Sequence, residues 1–238
     1  MLAEGADIIE VGGESTGPSS PDVPLEEELK RTIPVIRAIK RAYPQAVIAI
    51  DTYKSRVALE AIAAGVTMVN DVTAGRGDRE MFRALAAASG VTLVLMYAKD
   101  QTPRTTIAEH HYEDVIGTIT AFLRERRDAA IAAGVSQERI ILDPGLGHFV
   151  SSDPHYSFTI LARLGEFTAL QCPILVSPSR KSFLAGSQNL KVADRLPGTI
   201  AASAIAVLHG ARFVRTHDIA AVRCGCEVAM NILRESPR

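Results

Sequence analysis

The chain has 238 residues, of which 47% are hydrophobic and 22% charged, the balance of a globular protein long enough to bury a large core. Its net charge of −1 argues against binding to nucleic acid or to an anionic membrane surface, because both need a surplus of lysine and arginine. No apolar run approaches the roughly 20 residues that span a bilayer. The first residues lack the basic and apolar regions of a signal peptide, so we expect a cytoplasmic protein.

Short apolar runs alternate with helical patterns along the chain. The predicted strands are a run that begins at Ala6, Ala46–Asp51, Thr67–Asp71, Thr92–Tyr97, Arg139–Asp143, a run that begins at Ile174, and Ala211–Thr216. The predicted helices are Leu25–Ala42, Ser55–Ala64, Asp78–Ala88, Tyr112–Ala133, Ser157–Gly165, Gly198–His209 and Ala220–Arg234. Pro34 predicts a kink or a delayed start in the first helix. Continuous Val, Ile and Leu runs indicate strands buried on both faces of a parallel sheet.

Seven strand–helix units with no change of composition between them favour one domain, residues 1–238. They favour a TIM-type (β/α)8 barrel over an open doubly wound sheet, although a closed barrel needs eight strands. The opening MLAEGAD has the character of the end of a helix that leads into a strand. We therefore expect the first strand of the barrel to be absent from this chain.

The three cysteines do not indicate a disulfide framework. Cys172 flanks a predicted strand, and Cys224 and Cys226 lie on a predicted helix. Side chains two residues apart on a helix point about 200° apart, so this pair does not face one ligand. Structural thiols are the simpler interpretation.

Nearly every predicted strand ends in a hydrogen-bonding or ionisable side chain. In a parallel barrel these ends meet at one mouth, where such barrels carry their chemistry. A single Asp there is as often the N-cap of the next helix, but capping does not explain several at matching positions. Four of the side chains offer donors and acceptors that match the edge of a fused nitrogen heterocycle. They are Asp51, Asn70, Asp143 and Lys181.

Cations near the ends of the last two strands indicate an anion site. Arg180 and Lys181 follow the strand that begins at Ile174, and Arg215 and His217 lie two residues apart at the end of the last strand. TIM barrels commonly bind phosphate near their last two strands. A solvated basic turn is the alternative for the Arg-Lys pair, and a capping histidine is the alternative for His217.

The motifs resemble those of dihydropteroate synthases over essentially the whole chain. In order they are VGGEST, IDTYK, NDV, LVLM, ILDPGLG, SRKSF and VRTHD. The resemblance implies a pterin-binding barrel that condenses 6-hydroxymethyl-7,8-dihydropterin pyrophosphate with p-aminobenzoate, which yields 7,8-dihydropteroate and pyrophosphate in folate biosynthesis. It also implies Mg²⁺ as the cofactor, with no metal ligand assigned to the protein, and a homodimer.

The resemblance further implies roles for individual residues. The pterin contacts are Asp51, Asn70, Met96, Asp143 and Lys181. The pyrophosphate contacts are Arg215 and His217, and the p-aminobenzoate side comprises Thr16, Pro18 and Ser182. The implied catalytic group is Asp51, Asp143, Lys181, Arg215 and His217. The family reaction passes through a pterin cation, which an anionic pocket stabilises electrostatically, so no covalent nucleophile is needed. For Met96 taken alone, a core position is the alternative.

The chain departs from the family pattern at several places. The usual EST-Arg-Pro contains Gly17 instead, the usual Leu-Met-His contains Tyr97, and His148, Phe149 and Val150 replace the usual residues after DPG-Leu-Gly. The family's first strand, whose loop carries a metal-associated Asn, is not found in the chain.

Three other functions remain open. A non-catalytic or degenerate pterin-binding barrel is supported by Gly17 and by the absent first loop. A methyltetrahydrofolate:corrinoid methyltransferase shares the Asp/Asn/Asp set, but it needs neither the SRKSF cluster nor an Arg/His pair. A phosphate-handling isomerase barrel would require a Gly-rich phosphate loop, which the sequence does not show.

Overall fold

The computed structural model describes residues 1–235, in which seven strands alternate with seven α-helices. The strands β1 to β7 are Ile8–Gly12, Val47–Asp51, Met68–Asp71, Thr92–Met96, Ile140–Asp143, Ile174–Val176 and Ala211–Val214. The helices α1 to α7 are Leu25–Ala42, Ser55–Ala63, Met81–Ala87, Val115–Ala132, Pro154–Ala162, Leu196–Leu208 and Ile219–Glu235. Each element predicted from the sequence is thus present. Within the described residues, no helix has the length and apolar character needed to cross a bilayer.

All seven strands form one parallel sheet in which each strand pairs with the next along the chain. The sheet is curled, as contacts between its two ends show. Arg215, which follows β7, reaches Glu10 on β1 and Asp51 at the end of β2. No ladder joins β7 to β1 among the described residues, and these two strands are the edges of the sheet. The sequence predicts a TIM-type (β/α)8 barrel without its first strand, and the structure shows seven strand–helix units around a curled parallel sheet of seven strands.

Burial of the strands follows their place in the sheet. Every residue of β3 and of β5 is buried, as the continuous apolar runs predicted. The edge strands β1 and β7 are half-exposed along most of their length. An edge strand has a neighbour on one side only, so the prediction of burial on both faces holds for the centre of the sheet and fails at its edges.

Side chains alternate between the helix-facing side of the sheet and the interior of the curl. An apolar layer fills that interior, and it consists of Ile8, Ala49, Met68, Val94, Ile141, Leu175 and Phe213. The residues two positions after these in the sequence form a second layer, which consists of Glu10, Asp51, Asn70, Met96, Asp143, Ser177 and Arg215. We call this second set the polar layer. Strand periodicity therefore sets hydrogen-bonding groups directly above an apolar base, at the C-terminal mouth of the sheet.

Several helix boundaries differ from the predicted ones for local reasons. The helix predicted from Asp78 begins at Met81, and the Asp78 carboxylate accepts hydrogen bonds from the backbone N–H of Ser55, the first residue of α2, at 2.8 Å and from that of Glu80 at 2.9 Å. Helix α5 begins earlier than predicted, at Pro154, because Asp153 caps it. Helix α1 begins at Leu25, as predicted, and continues through Pro34 without interruption.

Candidate active site

The residues predicted from strand ends meet at the C-terminal mouth of the sheet. Asp51, Asn70 and Asp143 end β2, β3 and β5, and Asp51 and Asn70 are register partners. Asn70 and Asp143 are each 3% exposed. The Oδ1 atom of Asn70 is buried without a hydrogen-bond partner. An unsatisfied buried acceptor costs about 1–3 kcal/mol, so this atom is available to a donor on a ligand.

Asp143 and Lys181 form the electrostatic centre of the mouth. Asp143 accepts a hydrogen bond from the backbone N–H of Gly145 at 2.8 Å, and Lys181 Nζ donates to the Leu146 carbonyl at 3.0 Å. Burial raises the pKa of the Asp143 carboxyl, with Lys181 opposing the rise. Burial also lowers the pKa of Lys181 to about 8. Because both charged forms are disfavoured, a polar ligand that bonds to both groups offsets part of their desolvation.

Arg215 connects two carboxylates across the mouth. Its Nη2 atom lies 2.8 Å from Asp51 Oδ2 and 2.5 Å from Glu10 Oε1. Burial raises the pKa of Glu10 to about 8, and the negative charge of Asp51 adds to the rise. Sequence reasoning did not include Glu10 in the site. The signal that finds it is its spacing of two residues from Ile8 in β1, which assigns it to the polar layer.

The two cations predicted at the Ser-Arg-Lys turn have different surroundings. The guanidinium of Arg180 makes two hydrogen bonds to the Asp218 carboxylate, at 2.6 and 2.8 Å, whereas Lys181 lies in the mouth. His217 is exposed, and its Nδ1 lies 2.9 Å from Ser179 Oγ. The prediction that Arg180 and Lys181 both contribute to an anion site is therefore wrong for Arg180, since Asp218 neutralises it.

Met96 forms an apolar wall next to the polar groups. It is 3% exposed and packs against Val72 and Ala98, with Phe149 beside them. Its register partner in β5 is Asp143. The structure thus shows the core position, next to Asp143, and the pterin contact implied for Met96 stays a prediction.

A cavity of about 210 Å³ adjoins the mouth where several loops meet. Three of the predicted residues line it, namely Pro18, Lys181 and Ser182. Its wall also contains Thr105, His148 and Arg195, which sequence reasoning did not place in the site. None of the described lining residues is acidic, so the cavity favours a ligand that carries negative charge.

Buried ion pairs fix the start of the loop that follows β1, residues 14–22. Lys54 Nζ bonds to the Glu14 carboxylate and lies 2.5 Å from Glu28 Oε2. The side chains of Glu14 and Glu28 are 3% and 1% exposed. Burial alone would raise the pKa of Glu14, but hydrogen bonds from Lys54 and Arg104 outweigh it and lower the pKa to about 2. The ion pairs of Lys54 therefore fix the buried end of this loop.

The loop after β4 also contacts residues 14–22 and fixes their position. Arg104 bonds to Glu14 and donates to the carbonyls of Ser20 and Pro21, at 3.0 and 2.9 Å. The backbone N–H of Thr105 donates to the Thr16 carbonyl at 3.1 Å. Thr16, predicted on the p-aminobenzoate side, therefore owes its position to contacts with residues almost 90 positions away in the sequence.

Residues 1–217 match the family model described as pterin binding enzyme, and that segment contains every predicted site residue from Thr16 to His217. The chain belongs to the pterin-binding enzyme family. The family assignment agrees with the resemblance found in the motifs.

Two curated relatives of this pterin-binding enzyme place it among proteins of different lengths. Dihydropteroate synthase from Haemophilus influenzae is 36% identical over 93% of this chain and 78% of its own length. A probable bifunctional folylpolyglutamate synthase/dihydropteroate synthase from Haloferax volcanii is 42% identical over 92% of this chain. The chain spans 25% of that longer protein.

A solved structure shows the same fold. Dihydropteroate synthase from Xanthomonas albilineans, in complex with 7,8-dihydropteroate, has a TM-score of 0.86 and 34% identity to this pterin-binding enzyme. The match covers 99% of this chain and 84% of that one. The curled sheet and its surrounding helices therefore match the fold of that dihydropteroate synthase.

Proposed function

We propose that this chain is a dihydropteroate synthase, which condenses 6-hydroxymethyl-7,8-dihydropterin pyrophosphate with p-aminobenzoate to give 7,8-dihydropteroate and pyrophosphate. The observation that carries the proposal is the junction of two sites at Lys181. On one side lies the polar layer with its unpartnered Asn70 oxygen, and on the other lies the cavity without acidic lining. Relatives named dihydropteroate synthase support the assignment.

The polar layer suits the donor and acceptor edge of a pterin. Asp143 uses Oδ1 to accept from Gly145, and Oδ2 makes no hydrogen bond within the described residues, so it is available to an N–H of the ring. Asn70 Oδ1 accepts a second donor. Met96 supplies an apolar surface for the ring face. In this proposal Lys181 donates to a ring acceptor.

The reaction needs electrostatic stabilisation rather than a nucleophile on the protein. The arylamine nitrogen forms a bond to the pterin methylene carbon as the carbon–oxygen bond to pyrophosphate breaks, and the bonding electrons leave with pyrophosphate. The nitrogen then releases a proton. Asp51 and Asp143 stabilise positive charge on the pterin, and Arg215 and His217 bind the departing pyrophosphate.

Mg²⁺ enters the proposal as an ion carried by the substrate. The described residues contain no group of three His, Cys, Asp or Glu side chains that could hold a metal. The carboxylates of Glu10 and Asp51, both in the polar layer, are paired with Arg215. Mg²⁺ is commonly bound through substrate phosphates and one or two carboxylates, so pyrophosphate oxygens would supply most of its ligands. When bound, the ion adds charge neutralisation of the leaving group.

A homodimer is the assembly that we propose. Large apolar side chains on α6 and α7 remain 42–56% exposed, and these are Ile205, Val228, Met230 and Leu233. Exposed apolar groups on adjacent helices are typical of an interface. Light scattering should give the mass of two chains, and V228E should shift the equilibrium toward one chain. A wild-type protein that is monomeric at every working concentration contradicts this part of the proposal.

The cytoplasmic location and the absence of a first strand stay predictions. Cell fractionation tests the location. The prediction of an absent first strand is tested by comparing the activity of this chain with that of a chain extended from the upstream reading frame. Equal activity of the two would contradict a functional need for an additional strand.

Replacing Lys181 by alanine should weaken binding of the pterin pyrophosphate about tenfold or more, while the free energy of unfolding changes by less than about 1 kcal/mol. The burial that lowers the pKa of Lys181 to about 8 makes the ammonium unfavourable in the fold, so its loss removes little stability. Calorimetry and urea unfolding measure the two quantities. Equal losses in both would refute the assignment of Lys181 to ligand binding.

The lowered pKa of Lys181 also predicts a pH effect on stability. The folded protein binds this proton less tightly than the unfolded chain, so its contribution to stability rises with pH between about 8 and 10.5. Urea unfolding across this range should show the rise in the wild type and a smaller one in K181A.

Pyrophosphate release in the presence of the pterin pyrophosphate, p-aminobenzoate and Mg²⁺ tests the function. Release should depend on both substrates, and calorimetry should detect pterin binding without the arylamine. Pterin binding without pyrophosphate release would favour the non-catalytic barrel. The corrinoid methyltransferase alternative has less support, because it gives no reason for Arg215 at the mouth.

A further inference from the structure

His148 has unused hydrogen-bonding capacity at the wall of the cavity. It follows β5 in the loop after Asp143 and lines the cavity together with Ser182 and Arg195. Neither of its ring nitrogens bonds to another described residue, and Nδ1 is buried without a partner. Buried polar atoms in folded proteins are normally satisfied, so an unpartnered ring nitrogen here points to a hydrogen bond that is made when the cavity is filled.

The backbone of His148 is fixed by a buried cation. The His148 carbonyl accepts hydrogen bonds from Lys99 Nζ at 2.7 Å and from Thr105 Oγ1 at 2.9 Å. The Lys99 side chain is 3% exposed, and its ammonium also pairs with Asp100 at 2.8 Å. The loop after β4 therefore holds His148 in place, which preorganises the imidazole for a ligand.

The charge around His148 selects an anionic group. Arg195 Nε and Nη1 donate to the carbonyls of Leu190 and Arg180, at 3.0 and 3.1 Å, and no carboxylate in the described residues forms an ion pair with Arg195. This contrasts with Arg215, which is paired with acids. Arg195 and Lys181 thus leave positive potential in a cavity without acidic lining.

We propose that His148 is a specificity-determining residue that donates a hydrogen bond from its imidazole to the carboxylate of the arylamine substrate. The inference rests on the proposed function and deepens it, because it assigns the selection of a charged arylamine over a neutral one to a residue of this chain. Burial lowers the pKa of His148, with the positive charges of Lys99 and Lys181 adding to the effect. The ring is therefore neutral near pH 7 and retains one N–H donor.

The test compares p-aminobenzoate with uncharged p-aminobenzamide on the wild-type chain and on two variants, H148F and H148Q. The readout is the ratio of kcat/KM for the two arylamines. Phenylalanine keeps a ring but removes the donor, so H148F should reduce the preference for the carboxylate about tenfold, mainly through KM. Glutamine keeps an N–H donor, so H148Q should retain most of the preference.

His155 provides a matched control, since it is exposed at the start of α5 and does not line the cavity. H155F should leave the preference ratio unchanged. An unchanged ratio in H148F would overturn the inference, as would an equal loss with both arylamines, which would indicate packing. If the wild type releases no pyrophosphate with either arylamine, the proposed function fails. Calorimetric titration of both arylamines, with the pterin pyrophosphate present, then decides the inference through the same preference ratio in affinity.

Discussion

Replacing Arg215 with methionine should lower kcat/KM for pyrophosphate release by about 10²–10³-fold, the loss typical of removing one charge-stabilising group from an active site. The guanidinium lies between Glu10 and Asp51 and pairs with both. Because burial raises the pKa of Glu10 to about 8, Glu10 is largely protonated near pH 7 and the guanidinium chiefly offsets the charge of Asp51. The variant thus loses an attractive charge and leaves the Asp51 carboxylate without a cation at the site where pyrophosphate is proposed to leave. Steady-state kinetics with each substrate varied in turn measure the loss.

Arg212 is the matched control for this substitution. It lies on β7, three residues before Arg215, and its side chain is exposed. R212M should change kcat/KM less than about twofold, because exposed charges distant from a site contribute little. Comparable losses in R215M and R212M would mean that general positive charge, rather than the Arg215 position, supports the reaction.

The polar residues at strand ends were predictable because a parallel sheet imposes a simple geometry. Each apolar run has a visible end, and parallel strands bring those ends to one edge. Asp51, Asn70 and Asp143 therefore needed only the sequence pattern to be brought together. Strand alternation counted from Ile8 identifies Glu10, although VGGEST draws attention to Glu14, whose buried side chain pairs with Lys54 and Arg104 instead.

The loop residues were not predictable because no periodicity connects them. Arg104 contacts Glu14 across 90 positions of sequence, and His148 is held by Lys99 across 49. Such contacts depend on loop conformations that neither composition nor spacing encodes. Arg180 shows the reverse case, since the sequence placed it beside Lys181 but its pairing with Asp218 is set by the tertiary fold.

At Gly17 the chain departs from the family pattern, and a residue from another loop anchors this segment. The resemblance implies an arginine at this position in the loop after β1, and this chain lacks it. Arg104, from the loop after β4, bonds to Glu14 and to the carbonyls of Ser20 and Pro21 in that same loop. The loop is therefore anchored by a cation from another part of the chain, which weakens Gly17 as evidence for a non-catalytic barrel.

Replacing Lys54 with methionine should lower the free energy of unfolding by about 3–5 kcal/mol, the usual effect of breaking a buried ion pair from one side. Lys54 bonds to Glu14 and Glu28, whose side chains are 3% and 1% exposed, and it donates to the Val23 carbonyl at 2.8 Å. Methionine fills a similar volume but leaves Glu28 buried without a cation. Urea unfolding measures the change.

Lys30 is the control for this variant, because it is an exposed lysine on α1. K30M should change the free energy of unfolding by less than about 0.5 kcal/mol. The double variant K54M/E28Q should recover part of the loss, since glutamine removes the unpaired charge. A K54M loss below about 1 kcal/mol, or no recovery in the double variant, would show that water rather than Lys54 stabilises these carboxylates.

The pH dependence of K54M gives an independent measure of the same ion pairs. The pKa of Glu14 is lowered from 4.5 to about 2, so its contribution to stability is fully present above about pH 4.5 and is lost as the pH falls toward 2. Without Lys54, the pKa of Glu14 moves upward and less stability remains to be lost on acidification. Unfolding free energies of the wild type and K54M should therefore converge as the pH falls from 5 to 2. Because Glu14 also begins the loop that carries Thr16 and Pro18, K54M should raise KM for p-aminobenzoate at neutral pH, which links the buried charges to the cavity above them.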